Sequence, residues 1–241
     1  MILAIDIGNT SAKYAVMDNS GEIIFFERLK GSWESAFNKV REKYKDIKEI
    51  YISNVAGPQL ELEEVIKKTK LEAKWLTWDS PIGAKWLNNI PEGYGADRLA
   101  ADIGAIAACP TGPLLVVDAG TCITYDVIDA NHKILGGSIT PGIALRLRAM
   151  HEHTAALPLF EPEGFAPVIG TEIEGALRGG CANGVRWEIE GYAREMLVQL
   201  PGLKLYYTGG VPLIFAPEIE KFAVHDPYLV LRGLFHAFRN N

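Results

Sequence analysis

The sequence has little of what would tie it to a membrane, a nucleic acid or an oxidising compartment. Only three of its 241 residues are cysteine, at positions 109, 122 and 181, with no C-x-x-C spacing. An odd and scattered set excludes a disulfide framework and a structural zinc site. It reads instead as small buried hydrophobes in a reducing environment. Long apolar runs are missing too: the cleanest, residues 103–109, falls far short of the ~20 residues that cross a bilayer. The chain opens directly on Met1-Ile2-Leu3-Ala4-Ile5 with no basic leader region, so a cytoplasmic protein is expected. Basic charge is in deficit, with 24 Lys and Arg against 30 Asp and Glu and a net charge of −6. That balance argues against a nucleic-acid or membrane partner. A small anion can still be held by local dipoles. The five histidines show no ligand spacing. His151 and His153 stand two apart on an expected helix and cannot face one metal.

What is present is ordinary for a soluble globular chain: 48% hydrophobic and 22% charged residues, enough for one or two domains. Residues 1–7, 11–17 and 22–28 read as strands, with a turn at Asp18-Asn19-Ser20-Gly21 between the last two. Helical periodicity follows at 33–44 and 59–69, with strands at 47–53 and 73–78. After a loop rich in Pro, Gly and Asn, residues 97–108 form a helix of small side chains, which predicts close packing on a neighbour. Pro110-Thr111-Gly112-Pro113 breaks it.

The pattern then restarts. Strand 114–117 leads into Asp118-Ala119-Gly120-Thr121 as the first strand leads into Asp6-Ile7-Gly8-Asn9-Thr10. At a shift of 111, Thr10, Tyr14, Val16, Asp18 and Ile23 meet Thr121, Tyr125, Val127, Asp129 and Ile134. A duplicated α/β unit is expected, residues 1–110 and 111–241, against the alternative that two hairpins after an Asp-Gly turn simply look alike. The second half continues with a strand at 135–139, a helix at 143–154, a long helix at 171–199, a strand at 205–207 and a last helix that Pro227-Tyr228-Leu229 opens and that runs to Phe238.

Both acid–glycine loops suit a phosphate. Backbone N–H groups beside Gly8 and hydroxyls of Thr10 and Ser11 can donate to it, and Asp6 can hold Mg²⁺ directly or through water. Either loop alone is also an ordinary turn whose Asp caps its own backbone. Together they predict a nucleotide gripped from two sides of a cleft. Asp97 and Arg98, in Tyr94-Gly95-Ala96-Asp97-Arg98, fall at a helix N-terminus, which favours anions; a plain N-cap is the alternative for Asp97. Gly136-Gly137, Pro141-Gly142 and Thr208-Gly209-Gly210 are open between close backbone approach and ordinary turns.

Taken together, these motifs, with Thr171 in a Gly-Thr-Glu setting and the terminal Pro227-Tyr228-Leu229-Val230-Leu231-Arg232-Gly233-Leu234, resemble type III pantothenate kinase over essentially the whole chain. The resemblance implies two duplicated ribonuclease-H-like domains of the acetate and sugar kinase, Hsp70 and actin superfamily. It implies ATP-dependent phosphorylation of pantothenate, the first step of coenzyme A synthesis. It assigns ATP contacts to Asp6, Ile7, Gly8, Asn9, Thr10, Ser11, Ala12, Lys13 and Thr121. Tyr94, Gly95, Ala96, Asp97, Arg98 and Thr171 become pantothenate contacts, with Asp97 as general base. Asp118 becomes a monovalent-cation ligand for K⁺ or NH₄⁺, and Thr171 is reached from the partner of a homodimer. Val211-Pro212 after the Thr208-Gly209-Gly210 turn departs from the expected pattern. Two other readings use the same loops: a nucleotide-binding regulator or switch without turnover, and a two-metal nuclease on Asp6 and Asp118. The Tyr94–Arg98 set favours the kinase over the first. The acidic charge and glycine loops argue against the second.

Overall fold

The computed structural model describes residues 1–164, 166–210 and 213–239. The departure noted at Val211-Pro212 lies outside the described residues. The chain divides into two compact units.

The first unit is built on β1 (Ile2–Ile7), every residue of which is buried. Such a strand needs partners at both edges and cover on both faces. An antiparallel ladder to β2 (Ala12–Met17) runs along one edge, and β3 (Ile23–Arg28) lies outside it. A parallel ladder to β4 (Glu49–Asn54) runs along the other, with β5 (Glu72–Trp75) beyond. The order is β3-β2-β1-β4-β5. Helices α1 (Trp33–Lys43) and α2 (Leu60–Thr69) bring Phe37, Val40, Leu62 and Val65 into a core with Leu3, Ile5 and Ile52. The side chain of Ser32 caps α1 by accepting the Ser35 amide, and Arg41 and Lys43 close its last turn. Both placements suit the helix dipole. Helix α3 (Ala96–Ala108) packs against β4.

The second unit repeats the plan. It contains β6 (Leu114–Ala119), β7 (Cys122–Ile128), β8 (Ile134–Pro141), α4 (Ile143–Glu152), α5 (Ile173–Gln199), β9 (Lys204–Gly209), α6 (Pro217–Glu220) and β10 (Ala223–His225). The sheet order, β10-β9-β6-β7-β8, is the first order with β6 to β10 standing for β1 to β5. The expected duplication is therefore present. Its register refines the shift of 111. Ile5 pairs with Tyr14 as Val117 pairs with Tyr125. The shift is 112 on the first strand of each unit and 111 on the second, because the second loop is one residue shorter. The matched residues do matched work. The Asp18 carboxylate accepts the Ser20 amide, and that of Asp129 accepts the Asn131 amide, each two residues on. Tyr14 and Tyr125 are both buried and both donate to a glutamate, Glu27 and Glu188 respectively.

The chain then returns to the first unit. Helix α7 (Leu229–Arg239) packs on α3, β1 and β4. Ranking 111–241 as one domain therefore misplaces its last helix. The reason is the buried set Leu229, Val230, Leu231, Leu234 and Phe235, which fits the small-residue surface of α3. A Cβ on Gly233 would overlap the Ala100 carbonyl, and one on Gly104 would stand 2.5 Å from the Leu229 carbonyl. The neighbour expected for α3 is thus this chain's own C-terminal helix. Of the cysteines only Cys181 is buried; Cys122 is exposed.

Candidate active site

Asp6 is the penultimate residue of β1, and its side chain points into a place set by two neighbouring strands. Across the antiparallel pair it faces Lys13, whose Nζ lies 3.9 Å from Oδ2. Across the parallel pair it faces Ser53, whose hydroxyl donates to Oδ1 at 3.2 Å. Asp6 is buried, whereas Asn9, Thr10 and Ser11 beyond it are exposed. The Gly8 amide donates to the Ser11 carbonyl at 3.0 Å. Gly8 is not among the positive-φ glycines, and a Cβ there would meet only Ser11 O, at 3.4 Å. The turn itself does not demand glycine.

The second unit repeats this arrangement with one exchange. Asp118 on β6 pairs across the sheet with Thr208 on β9, which is buried as Ser53 is. Each acid thus has a buried hydroxyl residue beside it at the carboxyl end of parallel strands, where open α/β sheets bind ligands. On the antiparallel side Asp118 faces Thr124, where Asp6 faces a lysine. The Gly120 amide donates to Cys122 O, and Thr121 is exposed. Of the three glycine motifs left open, Thr208-Gly209-Gly210 and Pro141-Gly142 now have reasons. Gly209 has φ +128° and lies against the Ala119 carbonyl, so no side chain fits. Gly142 donates its amide to Thr121 O at 2.9 Å. A Cβ on Gly142 would stand 2.7 Å from that same oxygen and overlap Gly120 O.

Glu188 of α5 holds this corner. It accepts from Tyr125 of β7 at 2.7 Å, from Thr140 of β8 at 2.6 Å and from Arg146 of α4 at 2.5 Å. Burial pushes its carboxyl up, but those hydrogen bonds outweigh it and hold the carboxyl below the usual range. Burial and the Glu188 carboxylate push the Tyr125 phenol well above its ordinary value. Thr171 is exposed, two residues before α5.

Tyr94 through Arg98 form the entry to α3. The N-cap is Gly95, so Asp97 is the second residue of the helix rather than its cap. Its Oδ1 accepts the Arg98 amide at 2.8 Å. A Cβ on Gly95 would stand 2.6 Å from that oxygen, so glycine is what lets the carboxylate fold back over the cap. Asp97 and Arg98 are half-buried; Tyr94 is buried, and its hydroxyl donates to Asp102 Oδ2 at 2.8 Å. The Arg98 guanidinium carbon sits 4.3 Å from the centroid of the Tyr94 ring.

Sequence reasoning missed Ser53, Asp102 and Glu188. Ser53 was legible as the end of a parallel strand beside Asp6. Asp102 was legible as one turn beyond Arg98 and two beyond Tyr94. Glu188 carried no signal, since only the fold brings it to Tyr125 and Thr140.

Two mixed five-stranded sheets of one topology, each ending a strand in an acid and a glycine loop, define the two-domain nucleotide-kinase fold of the actin-like ATPases and sugar kinases. Solved structures share it. A ROK family glucokinase from Streptomyces griseus, in complex with glucose and AMPPNP, matches with TM-score 0.52 at 15% identity, covering 100% of this chain and 99% of its own. A Campylobacter jejuni protein described as belonging to the Baf family of transcriptional activators matches with TM-score 0.62 at 25% identity, over 100% and 98% of the two chains. The model of the type III pantothenate kinase family matches residues 2–195. The type III pantothenate kinase of Bacteroides fragilis is 36% identical over 241 residues, covering 100% of this chain and 98% of its own. That of Porphyromonas gingivalis is 35% identical over 243 residues, covering 99% and 98%. The chain belongs to the type III pantothenate kinase family.

Proposed function

We propose that the protein transfers the γ-phosphoryl group of ATP to the primary alcohol of pantothenate, the opening reaction of coenzyme A synthesis. The observation that carries this reading is Asp97. It is a half-buried carboxylate in the first turn of α3, outside both phosphate loops and one residue from a cation. Asp97 takes the hydroxyl proton as the alcohol oxygen bonds to phosphorus and the bond to the ADP oxygen breaks. Residues 6–13 and Thr121 hold the nucleotide through backbone N–H groups, hydroxyls and Lys13. Gly95, Ala96, Arg98 and Thr171 orient the pantoyl end.

Among the described residues no group of three or more His, Cys, Asp or Glu could hold a metal ion. Mg²⁺ would arrive on the nucleotide and keep most of its ligands as phosphate and water, with Asp6 as the one carboxylate. When bound, it neutralises developing charge on the phosphates. A monovalent cation at Asp118 suits the exchange of Lys13 for Thr124 between the two units.

A homodimer in the cytoplasm completes the reading, with the partner's copy of the Thr171 region closing the substrate site. Exposed apolar side chains on the second unit, Ile139, Leu145, Ile169, Ile173 and Trp187, support it. No helix among the described residues is long and apolar enough to cross a membrane. Incubation with Mg·ATP, K⁺ and pantothenate is expected to yield ADP and a phosphorylated product. Absence of pantothenate-dependent ADP formation would overturn the assignment. Sedimentation that finds only active monomer would overturn the dimer.

A further inference from the structure

The residue that stands out is Glu188, because the two units serve the same tyrosine in different ways. In the first unit Tyr14 lies opposite Glu27 on the adjoining strand and donates to it. An exposed lysine of α1, Lys39, completes that group. In the second unit β8 carries no acidic residue. Tyr125 is served by a carboxylate from the middle of α5 instead. That origin gives the carboxylate donors from three elements. Tyr125 of β7 and Thr140 of β8 share Oε1, and Arg146 of α4 takes Oε2. Arg146 does more than pair with Glu188. Its Nε donates to the Pro141 carbonyl at 2.7 Å, and its amide to the Gly142 carbonyl at 2.9 Å. The Gly142 amide in turn donates to Thr121 O. A continuous hydrogen-bonded line thus runs from Glu188 through Arg146 and the Pro141-Gly142 turn to the second acid–glycine loop.

We infer that Glu188 and Arg146 are positioning residues for that loop, setting through Pro141-Gly142 where Thr121 meets the nucleotide. The inference rests on the nucleotide reading of the loop given above. A guanidinium is a rigid fork, so a carboxylate that fixes one nitrogen also fixes the direction of the others. Here that direction is the Pro141 carbonyl. The carboxylate is itself fixed, because two hydroxyls hold its other oxygen. Both side chains are half-buried, and their opposite charges strengthen the bond between them. Gly142 and Thr121 are in backbone contact, so a shift of the turn moves the loop with it.

The test is a double-mutant cycle on the full enzyme, read as KM for ATP, KM for pantothenate, kcat and the rise in melting temperature that Mg·ATP produces. Arg146→Met keeps the stem and removes the fork. Glu188→Gln keeps the size and removes the charge that the fork binds. Each is expected to raise KM for ATP about tenfold, the order of one charge-assisted hydrogen bond, and to shrink the Mg·ATP melting shift. KM for pantothenate stays within about twofold. In the Glu188→Gln background, Arg146→Met adds less than about twofold, because the line is already cut. Tyr125→Phe is the control for general loosening. It takes one donor from Glu188 and leaves the line intact, so the free enzyme melts lower while KM for ATP is unchanged. Parent-like KM for ATP in folded Arg146→Met and Glu188→Gln would overturn the inference. So would full additivity of the two losses, or a rise in Tyr125→Phe equal to theirs. Should Glu188→Gln fail to fold, Arg146→Met against Tyr125→Phe decides alone. A parent that Mg·ATP stabilises but that shows no pantothenate-dependent turnover would overturn the acceptor assignment only, and the melting shifts then decide the inference.

Discussion

Gly142 and Thr121 meet backbone to backbone: the Gly142 amide donates to the Thr121 carbonyl at 2.9 Å, with no room between them for a Cβ. The glycine begins α4 as its N-cap, so the start of that helix is the wall on which the second acid–glycine loop rests. Gly142→Ala must displace the loop, since both nearby oxygens belong to backbone. Steady-state kinetics are expected to show KM for ATP raised about tenfold or more, by the ~1–3 kcal/mol that overpacking costs. KM for pantothenate should change little. A variant with normal ATP kinetics would detach this contact from nucleotide binding.

Much of this architecture was legible in the sequence because duplication writes the same physics twice. The identities at Tyr14 and Tyr125, and at Asp18 and Asp129, mark a buried phenol and a self-bonded turn in each unit. The loops were legible from their glycines and acids. The small residues of α3 correctly announced a close neighbour, but pattern alone could not say which. The partner is α7, more than a hundred residues away, and the fit of Gly233 to Ala100 exists only in three dimensions. The glycines of α5 carry the same lesson. A Cβ on Gly179 would overlap the chain's own Pro167 carbonyl, a close approach that the spacing of glycines along α5 does not reveal. Asp97 looked like a cap because capping residues and first-turn acids occupy the same few positions.

Stability at high pH follows from the paired tyrosines. Burial, then the neighbouring glutamate, raises the phenols of Tyr14 and Tyr125 above their ordinary value of about 10. Above pH ~10 the unfolded chain releases these protons while the folded chain keeps them. The unfolded state then binds fewer protons, so the stability of the fold falls as pH rises. Melting temperature is expected to hold below pH ~10 and to decline above it. Tyr125→Phe should shallow that decline, at the cost of a lower melting temperature at neutral pH. An alkaline slope identical in variant and parent would remove Tyr125 from the linkage.

The monovalent cation proposed at Asp118 can be argued from the strand register. Asp6 has Lys13 across the ladder, and Asp118 has Thr124 at the equivalent place. A bound K⁺ or NH₄⁺ at Asp118 would bring to the second loop the positive charge that Lys13 brings to the first. Exchange of K⁺ for a large organic cation at constant ionic strength is expected to abolish most turnover, with activity restored on adding K⁺ back. Thr124→Lys should weaken this dependence. Turnover that ignores the exchange would show that the second acid needs no such ion.

Asp97→Asn separates chemistry from folding more cleanly than any other change. The cap of α3 is Gly95, and at the helix start Asp97 Oδ1 accepts a hydrogen bond from the Arg98 amide. Asparagine retains that oxygen. The helix loses the charge–dipole interaction of the carboxylate, ~0.3–1 kcal/mol at a helix N-terminus. That is a fall of only a few degrees in melting temperature for a chain of this size. What asparagine lacks is a basic oxygen. A primary alcohol attacks phosphorus slowly until its proton has a place to go, and a positioned base is worth ~10²–10⁴-fold. Turnover is therefore expected to fall by ~10²-fold or more, with nucleotide affinity retained. Asp6→Asn should act in the opposite sense, weakening Mg·ATP binding most, since Asp6 lies in the first loop with Lys13 and Ser53. Rates, nucleotide affinity and melting temperature measured on both variants decide the matter. A folded Asp97→Asn enzyme turning over at near its normal rate would leave the alcohol proton without an acceptor here and move the base elsewhere in the site.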